Sequence, residues 1–413
     1  MVFLFGRNGG QENVDEFINQ VRAGRKNLIA LYAFVATSRF WVDGGIWLVF
    51  WQQRGLSLFE VGLLESLLHV VCLVSDVPIG IFADRFGWKL SLLVSAVFGI
   101  GYTSLALFSH SFWLAAASFV LRGLQVTFVN GSDTSIAYES AGWAGVQNRY
   151  LAISGRLVAI SLISMGIAEA TGGALAAWSW SAVYVLYTIV NVISFFTVLW
   201  VREPREMRKS VREHASVFSI AHQALQFAKK SPPFLAWIAL SGILFGCIAT
   251  FAFYGQSLLL HAGYTLVGIG ILTGFENGLG ALLSSLAEGL VKRMGNKRMV
   301  TVSSILAAIG LMLFAWLPGL SLGFGYLLGS IAGNAIEPLI EQGLNQIIPS
   351  EQRATLLSFN STAFSVFMIF GFPLFGWLAQ SIGLFHAAQL GSVIGVIAIL
   401  GVTYWWRGRE RVN

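Results

Sequence analysis

The stretch Pro78-Ile-Gly-Ile-Phe-Ala-Asp-Arg-Phe-Gly-Trp-Lys89, PIGIFADRFGWK, breaks an otherwise apolar region with a burst of charge and glycine. Asp84, Arg85 and Lys89 crowd into a few residues, and a second apolar run starts at once. Each flanking run is long enough to reach the roughly 20 residues that a bilayer-crossing helix needs. The stretch therefore reads as a tight turn joining two spanning helices.

Composition extends that reading to the whole chain. Of 413 residues, 56% are hydrophobic and only 11% charged, and the mean hydropathy is +0.71. Soluble domains carry about 25% charged residues, so the solvent here must be lipid. The net charge of +6 does not point to nucleic acid, because the basic residues sit between apolar segments rather than along one face. Cys72 and Cys247 both lie inside apolar segments, which gives no disulfide framework and leaves the redox compartment open. Residues 1–26 are polar and partly acidic and lack the pattern of a secretory signal.

Cutting at charge and Gly/Pro clusters gives twelve expected spans: 27–53, 58–83, 89–109, 111–138, 149–174, 179–201, 233–262, 265–291, 298–317, 319–345, 354–379 and 383–406. Of the 26 lysines and arginines, Arg39, Arg122 and Arg156 fall inside spans and Arg54 alone falls on one side. The rest fall on the other side, which places both termini in the cytoplasm. The expected organisation is all-α. A cytoplasmic tail (1–26) precedes a six-helix bundle (27–201). A basic linker (202–232) leads to a second six-helix bundle (233–406) and a short tail (407–413). Val217, Ile220, Ala221, Ala224, Leu225 and Ala228 recur in the linker at helical spacing. That pattern fits an amphipathic helix in the headgroup region or a solvated linker helix.

The opening turn repeats. At a shift of 208 residues Arg85, Gly87 and Lys89 fall on Arg293, Gly295 and Lys297 in GLVKRMGNKR. At a shift of 204, Asn130, Asp133 and Arg149 fall on Asn334, Glu337 and Arg353. Both echoes suit a duplicated six-helix unit.

GIFADRFGWK resembles the signature Gly-x-x-x-Asp-Arg-x-Gly-x-Lys turn of the major facilitator superfamily, with Trp88 where a basic residue is usual. With SDVPIGIFADRFG and NGSDTSIAYES, the chain is similar to the bacterial branch of small-molecule and drug exporters. The resemblance implies two pseudo-symmetric six-helix bundles that rock about a central site. It also implies that Asp84 pairs across the halves when the cytoplasmic side is shut. Gly80, Asp84, Arg85, Gly87, Lys89, Arg293, Gly295 and Lys297 are then gating residues. The alternative is that the turn is only a topology anchor.

Ionisable residues inside hydrocarbon are costly and so informative. They concentrate in spans that the resemblance places around the central cavity: Arg39, Asp43, Glu65, Asp76, Arg122, Arg156, Glu169, Glu276, Glu337 and Glu341. Arg39 and Asp43, four apart on one helix face, are expected to pair. The pair either neutralises the helix for insertion or serves substrate or proton. LRGLQ (121–125) resembles the family's fourth-helix motif Arg-x-x-Gln-Gly through Arg122 and Gln125, which implies proton coupling; a helix-tying role for Arg122 is the alternative. GRLVAISLISMGIAEATGG (155–173) partly resembles the fifth-helix antiporter pattern, with Glu169 where proline belongs. Glu337 and Glu341 lie one turn apart around Pro338, as a proton carrier or as a gate with Arg149 or Arg353. Glu276 has no basic partner on its own helix. Phe40, Trp41, Trp47, Phe50 and Trp51 read as interface belt and packing.

No phosphate-binding loop, zinc spacing or catalytic set is found, so neither an enzyme nor a cofactor is expected. The leading expectation is a monomeric carrier exporting a small, partly apolar organic molecule in exchange for protons, with membrane lipids around it. Uptake by symport is the runner-up. A lipid scramblase or a transporter-like sensor is the alternative from another class.

Overall fold

The computed structural model describes residues 7–203, 226–227, 229–348 and 353–409. These form fourteen α-helices: α1 (Arg7–Ser38), α2 (Trp47–Gln53), α3 (Leu58–Phe86), α4 (Trp88–Phe108), α5 (Phe112–Val129), α6 (Ser132–Trp143), α7 (Tyr150–Ala176), α8 (Trp180–Leu199), α9 (Pro232–His261), α10 (Leu266–Met294), α11 (Asn296–Trp316), α12 (Leu322–Ile347), α13 (Arg353–Ile382) and α14 (Leu384–Arg409). Eleven segments are long and apolar enough to cross a membrane, α5 and α6 counting as one. The expected linker helix falls mostly outside the described residues.

Local chemistry sets the helix ends. Ser57 caps α3: its hydroxyl accepts from Glu60 N at 3.2 Å, while Glu60 Oε2 accepts from Ser57 N at 2.8 Å. Gly87 ends α3 at φ +108°, and Gly295 ends α10 at φ +80°. Only glycine takes this backbone cheaply, which lets the next helix begin at once. α9 opens on Pro232, where a missing N–H costs nothing.

Two features depart from the expected spans. Residues 7–26, expected as a tail, continue into α1 as one helix. The span 27–53 is split: α1 stops at Ser38 and α2 starts at Trp47. The intervening RFWVDGGI holds aromatic and β-branched residues and two glycines, all weak helix formers. A non-helical backbone at membrane depth needs outside partners. Gln256 of α9 supplies them, accepting from Leu48 N and donating to Gly44 O, each at 3.0 Å. A second break at Asn130-Gly131 separates α5 from α6, with Gly131 at φ +78°.

The halves meet along two helix pairs, α3 with α13 and α7 with α10. In the second pair the backbones nearly touch: a methyl group on Gly166 would lie 2.8 Å from Gly274 O. In the first, Ser66 Oγ donates to Ile369 O at 2.9 Å, and beside it Tyr254 Oη of α9 donates to Leu58 O of α3 at 3.1 Å. Trp47 stacks on Phe372 and meets the edge of Phe253. Trp47, Phe50 and Trp51 are almost wholly buried, so packing, not an interface belt, accounts for them. Toward the end that carries the 84–89 and 292–297 turns, hereafter the basic end, α3 loses its cover. Val74 is 70% exposed, and Val77 and Ile81 are exposed as well. The halves are sealed at one end and parted at the other.

Gly172 lies against the broken segment, where any side chain would collide with Val42 O. Gly172→Val is expected to destabilise the protein by about 1–3 kcal/mol, read as a lower unfolding temperature in detergent.

Candidate functional site

The break between α1 and α2 carries the charges, and it sits beside the break between α5 and α6. Asp43 is completely buried. Its Oδ2 accepts from the Tyr102 hydroxyl, from Arg122 Nη1 at 3.4 Å and from Tyr184 Oη at 3.5 Å. Arg122 Nη1 also donates to Tyr102 Oη at 2.7 Å, and its guanidinium lies 5.0 Å from the Tyr102 ring and 5.5 Å from the Trp41 ring. Among the described residues Asp43 Oδ1 has no hydrogen-bond partner. One level nearer the basic end, Arg39 pairs with Asp133 of α6 at 3.9 Å.

The expected Arg39–Asp43 pair is therefore not made. It presumed one helix face, but the helix ends at Ser38 and both residues lie in the break that follows. Each charge instead finds a partner on α5 or α6, so two ion pairs join the first break to that pair of helices. Asp133, Tyr102 and Tyr184 were not singled out from the sequence. The echo of Asp133 in Glu337 was a usable signal for the first of them; the tyrosines gave none.

Glu169 and Glu276 lie at the α7–α10 seam. Glu169 is 6% exposed, accepts from Asn277 Nδ2 at 2.9 Å and lies against Gly44 of the broken segment. Glu276, half-buried, accepts from Asn334 Nδ2 at 3.1 Å. Amide donors satisfy a carboxylate or a carboxylic acid alike. At the α3–α13 seam, Glu65 Oε1 is 3.6 Å from His69 Nε2, and His69 Nδ1 is 3.3 Å from Ser365 Oγ of the other half.

Glu337 and Glu341 are exposed on the wall of a cavity of about 440 Å³ that also meets Asn334, Asn360, Phe245 and Phe364. Among the described residues no ion pair joins them to Arg149, and the Arg353 side chain lies outside the description. Gln125, grouped with the cavity by its motif, points elsewhere. Its Nε2 donates to Asn191 Oδ1 at 3.0 Å beside Gly99, in a joint of α4, α5 and α8. Asp76 and Arg156 are exposed.

At the basic end Asp84 is exposed and makes no ion pair among the described residues. Arg85 stacks on Phe86. Nothing approaches Gly80, so close packing does not explain that glycine. The 87–89 segment is held within its own half. Glu203 accepts from Trp88 N and Lys89 N, and Lys89 Nζ donates to Leu199 O at 2.9 Å. Arg293, Gly295 and Lys297 occupy the matching turn of the second half.

The profile of the Major Facilitator Superfamily matches residues 28–336. The chain belongs to this superfamily. It is 21% identical over 367 residues to the uncharacterized MFS-type transporter YxaM of Bacillus subtilis (strain 168), covering 86% of this chain and 89% of that one. It is 23% identical over 392 residues to the maltose permease of Geobacillus stearothermophilus, covering 92% and 93%. Among solved structures, a variant of the nucleoside transporter NupG superposes with a TM-score of 0.79 at 13% identity, covering 93% of this chain and all of that one. A second NupG structure gives 0.76. The superfamily assignment and the apolar segments make the chain a multi-pass membrane transporter of a small solute.

Asp43→Asn removes the counter-ion of Arg122. It is expected to cost about 3–5 kcal/mol, because it strands a buried charge. Adding Arg122→Gln is expected to recover much of that loss in a double-mutant thermal-unfolding series.

Proposed function

We propose that the protein is a secondary carrier with twelve crossings and both termini cytoplasmic, exporting a small amphiphilic organic solute in exchange for protons. The observation that carries this reading is the one-sided opening. Cross-half hydrogen bonds and apposed glycines join the halves at one end, while toward the basic end α3 is uncovered and the second half carries the cavity beside Glu337 and Glu341. By the distribution of lysine and arginine, the basic end faces the cytoplasm. The structure is then an inward-open state, ready to load solute from the cell.

Glu169 and Glu276 are the proposed proton carriers. Both stand at the α7–α10 seam, with amides rather than cations as their recorded hydrogen-bond partners, so either can be neutral or charged without stranding a partner. Arg122 and Asp43 hold the broken first crossing in register beside them. Asp84 is the proposed latch: without an ion pair among the described residues in this open state, it closes on the second half when the cytoplasmic side shuts. Glu203 keeps the turn in place meanwhile.

Uptake by symport uses the same parts. The resemblance to a maltose permease and to nucleoside transporter structures favours it as the second reading. In both readings a solute gradient drives proton movement; a scramblase would be indifferent to a pH gradient.

A solute is sought by screening cells that lack or overproduce the protein, then tested in vesicles containing a pH-sensitive dye. Export predicts that solute and protons move in opposite directions, and symport that they move together. The paired change Glu169→Gln and Glu276→Gln is expected to lower pH-driven flux at least tenfold while solute exchange persists. Unchanged pH-driven flux removes these two residues from the coupling. Asp84→Asn is expected to shift the balance toward the open basic end, measured as faster maleimide labelling of a cysteine placed at Glu337.

A further inference from the structure

Within the first half, α1, the start of α4 and the end of α8 enclose a cavity of about 920 Å³. Lys26, Lys89 and Arg202 stand in its wall, with Ile29 and Trp200 beside them. Ile29 is 68% exposed and Trp200 71%. The wall is held firmly. Asn27, fully buried, donates from Nδ2 to Arg202 O at 2.7 Å and accepts from Arg202 N at 2.8 Å. That double bond to the main chain fixes the end of α8 against α1.

The charge is one-sided. Lys89 Nζ gives one of its three N–H groups to Leu199 O. Glu203, the acid of this wall, spends its carboxylate on the first amides of α4. Lys26, Lys89 and Arg202 make no ion pair among the described residues. The site lies where the spans end, and an exposed tryptophan beside basic residues marks the level of the headgroups. A soluble anion would satisfy the cations and leave Ile29 and Trp200 uncovered. A molecule with an anionic head and an apolar body satisfies both.

We infer that this cavity binds an anionic phospholipid of the surrounding bilayer. Its phosphate lies among Lys26, Lys89 and Arg202, and its acyl chains lie along Ile29 and Trp200. Basic pockets between spanning helices are known chemistry for such headgroups. The lipid bridges α1, α4 and α8, and so braces the segment that holds the 87–89 turn.

The test uses the full chain, purified and reconstituted in phosphatidylcholine discs with or without phosphatidylglycerol or cardiolipin. Native mass spectrometry then counts retained lipids, and thermal unfolding reports stabilisation. One anionic lipid per chain is expected to survive delipidation, and anionic discs are expected to raise the unfolding temperature by several degrees. The pair Lys26→Gln and Arg202→Gln is expected to lower retention at least fivefold. Lys26→Arg with Arg202→Lys is expected to keep it, as is the remote pair Arg407→Gln and Arg409→Gln. Equal retention of phosphatidylcholine overturns the proposal even if the glutamine variant fails to fold. So does equal loss in the remote pair, or stabilisation by inorganic phosphate alone that matches the lipid.

Discussion

Two arginine–carboxylate pairs, Arg122 with Asp43 and Arg39 with Asp133, fasten the break between α1 and α2 to α5 and α6. A continuous helix satisfies its own backbone and needs no such clamp in lipid. Breaking two helices side by side removes that self-sufficiency, and side chains must then set the register. Charged groups at this depth are tolerated only when paired. The two tyrosines complete the arrangement by sharing Asp43 Oδ2 with the guanidinium. The rest of the first half arranges itself around this fixed point.

The seams between the halves use different physics. Along α7 and α10, glycines bring backbone against backbone, which resists sliding, and a directional bond across this seam runs from Asn277 to Glu169. Along α3 and α13, the Ser66 hydroxyl and His69 reach across to Ile369 O and Ser365, and beside them the Tyr254 hydroxyl reaches Leu58 O. The carboxylates that amides satisfy lie on the glycine seam, close to the broken segment. A change of protonation there alters charge where the two halves are in closest contact.

Much of this arrangement was legible in the sequence. Hydropathy marked the crossings, because burial in lipid demands long apolar runs whatever their partners. Gly87 and Gly295 marked the two sharp turns, because few other residues take that backbone. Pairing was not legible. Arg39 and Asp43 have the spacing of a helical ion pair, yet the helix ends at Ser38, before both, and glycine content alone did not show where. Gln125 fits a motif that implies the cavity, but its amide turns to Asn191, a neighbour 66 positions away. Tyr102 looks like any aromatic of an apolar span until Asp43 is placed beside it. Side-chain direction depends on contacts between remote segments, and a single chain read in order does not contain them.

Gln256 spans the boundary between the halves with both ends of one amide, holding Gly44 O and Leu48 N. If the sealed end separates, as the proposed carrier cycle requires, that amide, the carbonyl and the N–H all lose their partners together. Left dry, each would cost on the order of 1–3 kcal/mol. Separation at that end is therefore inseparable from hydration: water must enter as the halves part, and it must leave before they can rejoin.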